Sequence, residues 1–158
     1  MQRRDNMIGV RFEYDVSKIG NRFLHTILNK VDVSKYVWNV NFDDIYLVPC
    51  KGNDYLFHSK ILEGTVFFES ISLAQYVVIQ CNLQAFPTMD SVTDLNTYLD
   101  YQKSKCQLVV VVTDNRYVGI LSKDERTIQQ IHKNAIENRF CKISFINELD
   151  LSMYLSDL

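Results

Sequence analysis

Hydrophobic positions along this chain change period several times, and each change marks an element. From Ile8 to Tyr14 apolar and polar residues alternate, the period-two pattern of a half-buried strand. Val16, Ile19, Phe23, Ile27 and Leu28 then fall on one helical face, with Ser17 placed to cap that helix. Residues 36–42 read as a strand on which Trp38, Val40 and Phe42 share a face, Asp43-Asp44 as its turn, and residues 45–48 as the returning strand. Residues 49–54 are the clearest loop. Residues 65–73 combine β-branched residues with helical spacing and are read as a short helix after Gly64.

A long strand follows over residues 76–86 and stops at Pro87. Ser91 and Asp94 have capping-box spacing for a helix reaching Lys103, with Leu95 and Leu99 facing inward. The run Leu108-Val109-Val110-Val111-Val112 is apolar at every position, so it belongs mid-sheet with cover on both faces. Asp114-Asn115 is a hairpin signal, and Tyr117 to Leu121 is the return strand. Ser122 and Glu125 repeat the capping-box spacing ahead of a helix with Ile128, Ile131, Ala135 and Ile136 on one face. Residues 142–146 form the last strand, and the tail beyond is a short helix or an irregular segment.

These elements predict an α+β chain with a mixed, mainly antiparallel sheet of about six to seven strands and three to four helices. The expected organisation is a loose N-terminus over residues 1–6 and one domain over residues 7–158. A single ungapped offset pairs Ile8 with Ile79, Thr26 with Thr97, Leu28 with Leu99, Asp43 with Asp114 and Tyr46 with Tyr117. That raises the idea of tandem strand-helix-strand-strand units, although Ile19 and Phe23 then face Asp90 and Asp94. A true repeat predicts two similar hairpins, each preceded by a helix on the same face of the sheet.

Charge narrows the choice of partners. Seventeen basic residues stand against nineteen acidic ones, which removes the electrostatic basis for binding nucleic acid or an anionic membrane. No apolar run is long enough to span a bilayer, and the first residues lack the apolar stretch of a signal peptide, so the expected location is the cytoplasm. Cys50, Cys81, Cys106 and Cys141 are widely spaced, with no C-x-x-C pair and no histidine at ligand spacing. They read as small buried hydrophobes in a reducing compartment.

Chemical signatures are sparse. The five glycines form no phosphate-binding loop, and neither a G-x-S-x-G nor an H-E-x-x-H motif is present. No metal or other cofactor is expected, and the balance leans away from an enzyme. His25 and His132 border apolar helical faces, and His58 has no assignable acid or thiol beside it. A spatial pairing of Cys81 with His132 is not decidable from sequence. Two surfaces stand out. Asp94, Tyr98, Asp100 and Tyr101 place acids among tyrosines, the composition of a face that receives a basic protein partner. Asp114, with Tyr117, lies at the tip of the central strand, where carboxylates of α/β proteins hold magnesium or accept phosphate. Against that, the chain turns straight back there, as a simple turn aspartate would.

The assembled pattern resembles a family of small uncharacterised proteins from Bacillus-type bacteria, grouped as a domain of unknown function. The likeness runs from Met7 over nearly the whole chain. It rests on Tyr36-x-Trp38, on Tyr76 leading to Leu83-x-Ala85-Phe86-Pro87, on Tyr98, on Ser104-x-Cys106, on Asp114 and Tyr117, and on Lys123. These are packing and turn residues, so the resemblance implies a fold and a cytoplasmic bacterial setting, and no activity. The family has a polar aspartate/arginine/threonine stretch after its last strand; here Asn147-Glu148-Leu149-Asp150-Leu151-Ser152 lacks the arginine.

The leading expectation is therefore a non-enzymatic interaction module, immunity- or antitoxin-like, that covers a basic protein. The alternative is a small ligand-binding domain or enzyme with a pocket around Asp114. A homo-oligomeric scaffold built on a sheet edge is a third reading, and the sequence fixes no oligomeric state.

Overall fold

The central strand dictates the layout. A computed structural model describes residues 6–15, 17, 22–49 and 54–149. It contains β1 (Met7–Glu13), α1 (Phe23–Leu28), β2 (Val37–Leu47), β3 (Ile61–Glu63), α2 (Gly64–Leu73), β4 (Tyr76–Phe86), α3 (Tyr98–Lys103), β5 (Leu108–Thr113), β6 (Tyr117–Ser122), α4 (Glu125–Glu137) and β7 (Cys141–Asn147). The strands form one open seven-stranded sheet in the order β3-β2-β4-β5-β6-β1-β7. Among the described residues all strand pairs are antiparallel, and parallel pairing is confined to an isolated bridge between Arg22 and Tyr76. β5, apolar at every position from Leu108 to Val112, takes the middle place, as its composition requires.

The two faces of the sheet are covered unequally. On the inner face Leu108, Val110 and Val112 join Val10, Phe12, Trp38, Val40, Leu83, Val118 and Ile120 beneath α1, α2 and α4. Trp38 stacks on Phe67 of α2, with ring centroids 4.0 Å apart, and its indole N–H donates to the Val33 carbonyl at 2.9 Å. The outer face has a smaller core of Ile8, Phe86, Leu95, Tyr101, Cys106, Val109, Leu121 and Ile146. It is closed by the segment that runs from β4 through α3 into β5.

Several expectations change. Asp43-Asp44 is not a turn: β2 passes through it in extended form and pairs with β4 from Val37 to Leu47. Neither aspartate has positive φ, while Asp114 (52°) and Asn115 (55°) both do, and a tight hairpin needs that conformation. The first of the two hairpins required by a repeat is therefore absent. β2 instead absorbs register shifts between Val40 and Phe42 and between Asp44 and Ile45. The first shift leaves Asn41 as an extra residue and sends Phe42 to the outer face, so Phe42 does not share the buried side of Trp38 and Val40.

The helix starts move as well. α1 begins at Phe23, and the Ser17 hydroxyl donates to Asp15 instead of capping a helix. Val16 and Ile19 of that predicted face, residues 1–5, the 50–53 part of the loop, and the tail from residue 150 lie outside the described residues. Ser91 closes a 3₁₀ turn with Thr88, and α3 begins at Tyr98 under a capping box made by Thr97 and Asp100. That shift keeps Leu95 buried but turns Leu99 outward. α4 begins at Glu125 with Asp124 as its cap residue; Ser122 ends β6 and accepts the Asp124 N–H at 3.1 Å. Ile136 points to solvent, and Phe140 closes the core there.

Two glycines test this packing in opposite directions. A Cβ on Gly9 would run into the Ile120 carbonyl, whereas one on Gly119 would meet no atom within 4 Å. Gly9→Ala is expected to cost about 1–3 kcal/mol by overpacking. Gly119→Ala is expected to be neutral or to stabilise by up to about 1 kcal/mol through the unfolded chain. Urea unfolding compares the two, and equal effects would refute the close β1–β6 approach assigned to Gly9.

Candidate functional site

The predicted acidic, tyrosine-bearing face does not assemble as one surface. Asp94 is exposed and Asp100 half-buried, and the Asp100 carboxylate accepts the backbone N–H groups of Asn96 (2.9 Å) and Thr97 (3.0 Å). These bonds, the Asn96 one foremost, hold its carboxyl below the ordinary range. Tyr101 turns inward into the outer-face core. Its ring lies under Lys123, whose Nζ is 4.8 Å from the centroid and also donates to the Ser104 carbonyl at 2.5 Å. Tyr98 is half-buried, its ring centroid 5.8 Å from that of Tyr101, and both tyrosines line a cleft of about 430 Å³ with Gln102, Lys123 and Glu148.

Asp114 does line an open pocket, of about 480 Å³, with Glu13, Tyr14, Asp15, Asn115, Arg116 and Cys141. One of its carboxylates is paired within the protein. Glu13 lies 3.6 Å from Arg116 and 3.1 Å from Lys142. The Tyr14 hydroxyl, held protonated by burial, sits 3.1 Å from the Val78 carbonyl and 3.2 Å from Asn115 Oδ1. Among the described residues no group of three or more His, Cys, Asp or Glu side chains is arranged to hold a metal ion. Tyr117 does not line this pocket; it stands on the outer face of the sheet with Arg116 5.7 Å from its ring centroid.

The histidines and thiols are dispersed. His132 stacks on Phe145 of β7 at 4.0 Å, and burial lowers its basicity. Cys81 faces the inner core on β4, four places from β7 in the sheet order, so the two make no catalytic pair. Burial pushes the thiols of Cys81 and Cys106 up to about 12, which keeps them protonated and poor nucleophiles. Cys141, expected to be buried, is exposed; all three are free thiols. His25 lies 6.1 Å from Phe68, and His58 is exposed.

The feature that sequence reasoning missed is the half of the outer face that none of the described residues covers. Cross-strand register places Asn39, Gln84, Val109, Leu121, Gly9 and Ile146 in one row. The next row is Phe42, Asn82, Val111, Gly119, Arg11 and Ser144. The first row lies against the outer core, whereas in the second Val111, Gly119, Arg11 and Ser144 are half-buried and Phe42 is 52% exposed. Tyr46 and Tyr117 lie further along the same face, 54% and 47% exposed. The Asn41 bulge that turns Phe42 outward is not encoded by any residue pattern; the polar alternation Gln80, Asn82, Gln84 on β4 was the available signal.

The family described as Protein of unknown function (DUF2691) matches residues 7–155. The chain belongs to this family. It is 34% identical over 142 residues to the Uncharacterized protein YncE of Bacillus subtilis (strain 168), covering 89% of this chain and 92% of that relative. No solved structure matches the chain. The resemblance drawn from Trp38, Phe86-Pro87, Cys106 and Tyr117 is thereby shown, and the family's description carries no activity to transfer.

Two outcomes check this part of the structure. Thiol labelling of the folded family member, followed by peptide mapping, is expected to mark Cys141 at once and Cys81 and Cys106 only on unfolding; rapid native labelling of Cys81 would contradict its burial. Asp100, with its carboxyl lowered in the folded state, stabilises above its unfolded pKa, and that contribution is lost as pH falls through the folded one. Asp100→Asn is therefore expected to be less stable than the parent at neutral pH, with the gap closing in acid. A gap that persists or widens in acid would refute the capping role.

Proposed function

We propose that the chain is a non-enzymatic binding protein of the bacterial cytoplasm whose protein partner docks on the uncovered half of the outer sheet face. The observation that carries this reading is the placement of Phe42, Tyr46 and Tyr117 at solvent on one face of a sheet whose other half is closed. Aromatic side chains bury much area at little entropic cost, which is why they anchor interfaces. A cytoplasmic setting is supported by the free thiols, one of them exposed, which persist in a reducing compartment. No helix among the described residues is long and apolar enough to cross a membrane, which is compatible with this reading.

This moves the partner surface away from Asp94, Tyr98, Asp100 and Tyr101. It also removes the reason to require a basic partner, because Arg11, Glu13 and Asp44 give the uncovered half no single sign of charge. The pocket at Asp114 has less support as a centre of chemistry, since the Glu13 carboxylate beside it is matched by Arg116 and Lys142.

The test is capture from a Bacillus subtilis lysate, followed by titration of the purified captured protein. Phe42→Ala and Tyr117→Ala, both at exposed positions, are each expected to weaken binding by at least about tenfold, as interface anchors do. Asp94→Lys is expected to leave it unchanged. Binding lost with Asp94→Lys and intact in Tyr117→Ala would return the interface to the acidic helix and overturn the proposal.

A further inference from the structure

The sheet ends, beside Phe42 and Tyr46, in a strand edge that only its first residues share with a neighbour. β3 pairs with Val37, Trp38 and Asn39 of β2, and the Val40 N–H donates to the Lys60 carbonyl at 2.7 Å. Beyond the Asn41 bulge β2 pairs with β4 on one side, and no described residue pairs with its other side. The described part of the connection to β3, residues 54–60, forms no strand there, and its Leu56 and Phe57 turn into the inner core.

The direction of the backbone along this edge follows from its last bond. The Val48 N–H points into the sheet and donates to the Gln75 carbonyl at 2.9 Å. Backbone groups alternate in direction along a strand, so those of Asp43, Ile45 and Leu47 point off the sheet. Val40, before the bulge, points off the sheet as well, which is the change of parity that one inserted residue produces. A row of outward N–H and C=O groups is a template for a further strand.

Side chains select what can add. Asp43 lies opposite Cys81 on the inner side, and Asp44 lies opposite Gln80 on the outer side with Phe42 and Tyr46. The chain has no lysine or arginine from Val37 to Val48, and among the described residues neither aspartate is in ion-pair contact with a basic group. Part burial, and then the neighbouring Asp44, push the Asp43 carboxyl above its ordinary range. Charges on both sides of an edge keep apolar strands from adding. A second copy of the same edge would bring two more aspartates and no cation. A strand that carries a cation meets neither obstacle.

We propose that this edge receives an extended segment of the protein partner as an added strand, with a lysine or arginine of that segment set against Asp43 and Asp44. This rests on the docking reading above and names how the partner is held. Backbone hydrogen bonds to Asp43, Ile45 and Leu47 attach the segment, and its outward side chains meet Phe42 and Tyr46. One basic residue in the added strand suffices, so the partner as a whole need not be basic.

A random peptide library displayed on phage and panned on the full chain tests this. Enriched sequences are then titrated, as synthetic peptides, into the isotopically labelled chain and followed by amide NMR. They are expected to carry a lysine or arginine among β-branched residues, to shift the Asp43, Ile45 and Leu47 amides, and to slow the exchange of those amides with solvent. Asp43→Asn combined with Asp44→Asn removes both charges and keeps the side-chain shape; it is expected to weaken the basic peptides by about three- to tenfold. Glu69→Gln, at an exposed acid on α2, is expected to leave them unchanged. No enrichment, enriched peptides without a basic residue, shifts confined to residues outside β2, or full affinity in the double variant would overturn strand addition. The captured partner takes no part in the panning, so such a failure leaves the docking reading to its own test with Phe42→Ala and Tyr117→Ala.

Discussion

The constraint on which the structure depends is the double-sided burial of β5. A strand with apolar side chains at every position from Leu108 to Val112 must be covered above and below, and it therefore takes the fourth place of seven. The inner cover is ample, because α1, α2 and α4 all dock on that face. Among the described residues the outer cover is one segment, the passage from β4 through α3, and it reaches Val109, Leu121 and Ile146. Val111, one pleat further on, is half-buried. The boundary between the covered and uncovered halves thus runs across the middle strand itself.

Three buried carboxamides cross that boundary: Asn39 donates to Gln84 at 3.2 Å, and Gln84 to Asn82 at 3.0 Å. Asn39 and Gln84 lie in the covered row and Asn82 in the next, so the three carboxamides cross from packed interior to open surface. Polar groups at such depth are tolerated when they satisfy one another, and here two links are made. The Asn41 bulge acts at the same place. By inserting one residue it reverses the facing of β2 and brings Phe42 beside Asn82. A regular β2 would have put Phe42 over the inner core and left the outer row without an aromatic.

Much of the fold was legible because it follows from local chemistry. β1, β4, β5 and the hairpin at Asp114-Asn115 were read directly, since period-two alternation, unbroken β-branched runs and left-handed turn residues are strong local signals. The helix starts were displaced because several hydroxyls compete for the capping role. Thr97, not Ser91, has an acid at the third helical position with the geometry to answer it. Asp43-Asp44 looked like a turn because aspartates break strands, but β4 is long enough to pair with β2 on both sides of the pair. The candidate surfaces fared less well. Tyr101 and Asp100 are neighbours in sequence to the exposed Asp94, yet one is core and the other a cap. Exposure depends on which helical face the sheet takes, and sequence spacing alone does not settle that for a helix of six residues.

The sequence by itself determined an α+β chain with a fully apolar central strand, its hairpin, a tryptophan core, and membership of a family whose pattern begins at Met7. These follow from residue type and period, which act over a few neighbours. Only the tertiary structure decided that the described residues close half of the outer face, that β2 bulges at Asn41, and that Asn82 pairs across the sheet with Phe42. Those outcomes depend on register and on how far the passage through α3 extends across the sheet. Both are set by pairings between residues dozens of positions apart, where no local pattern carries the information.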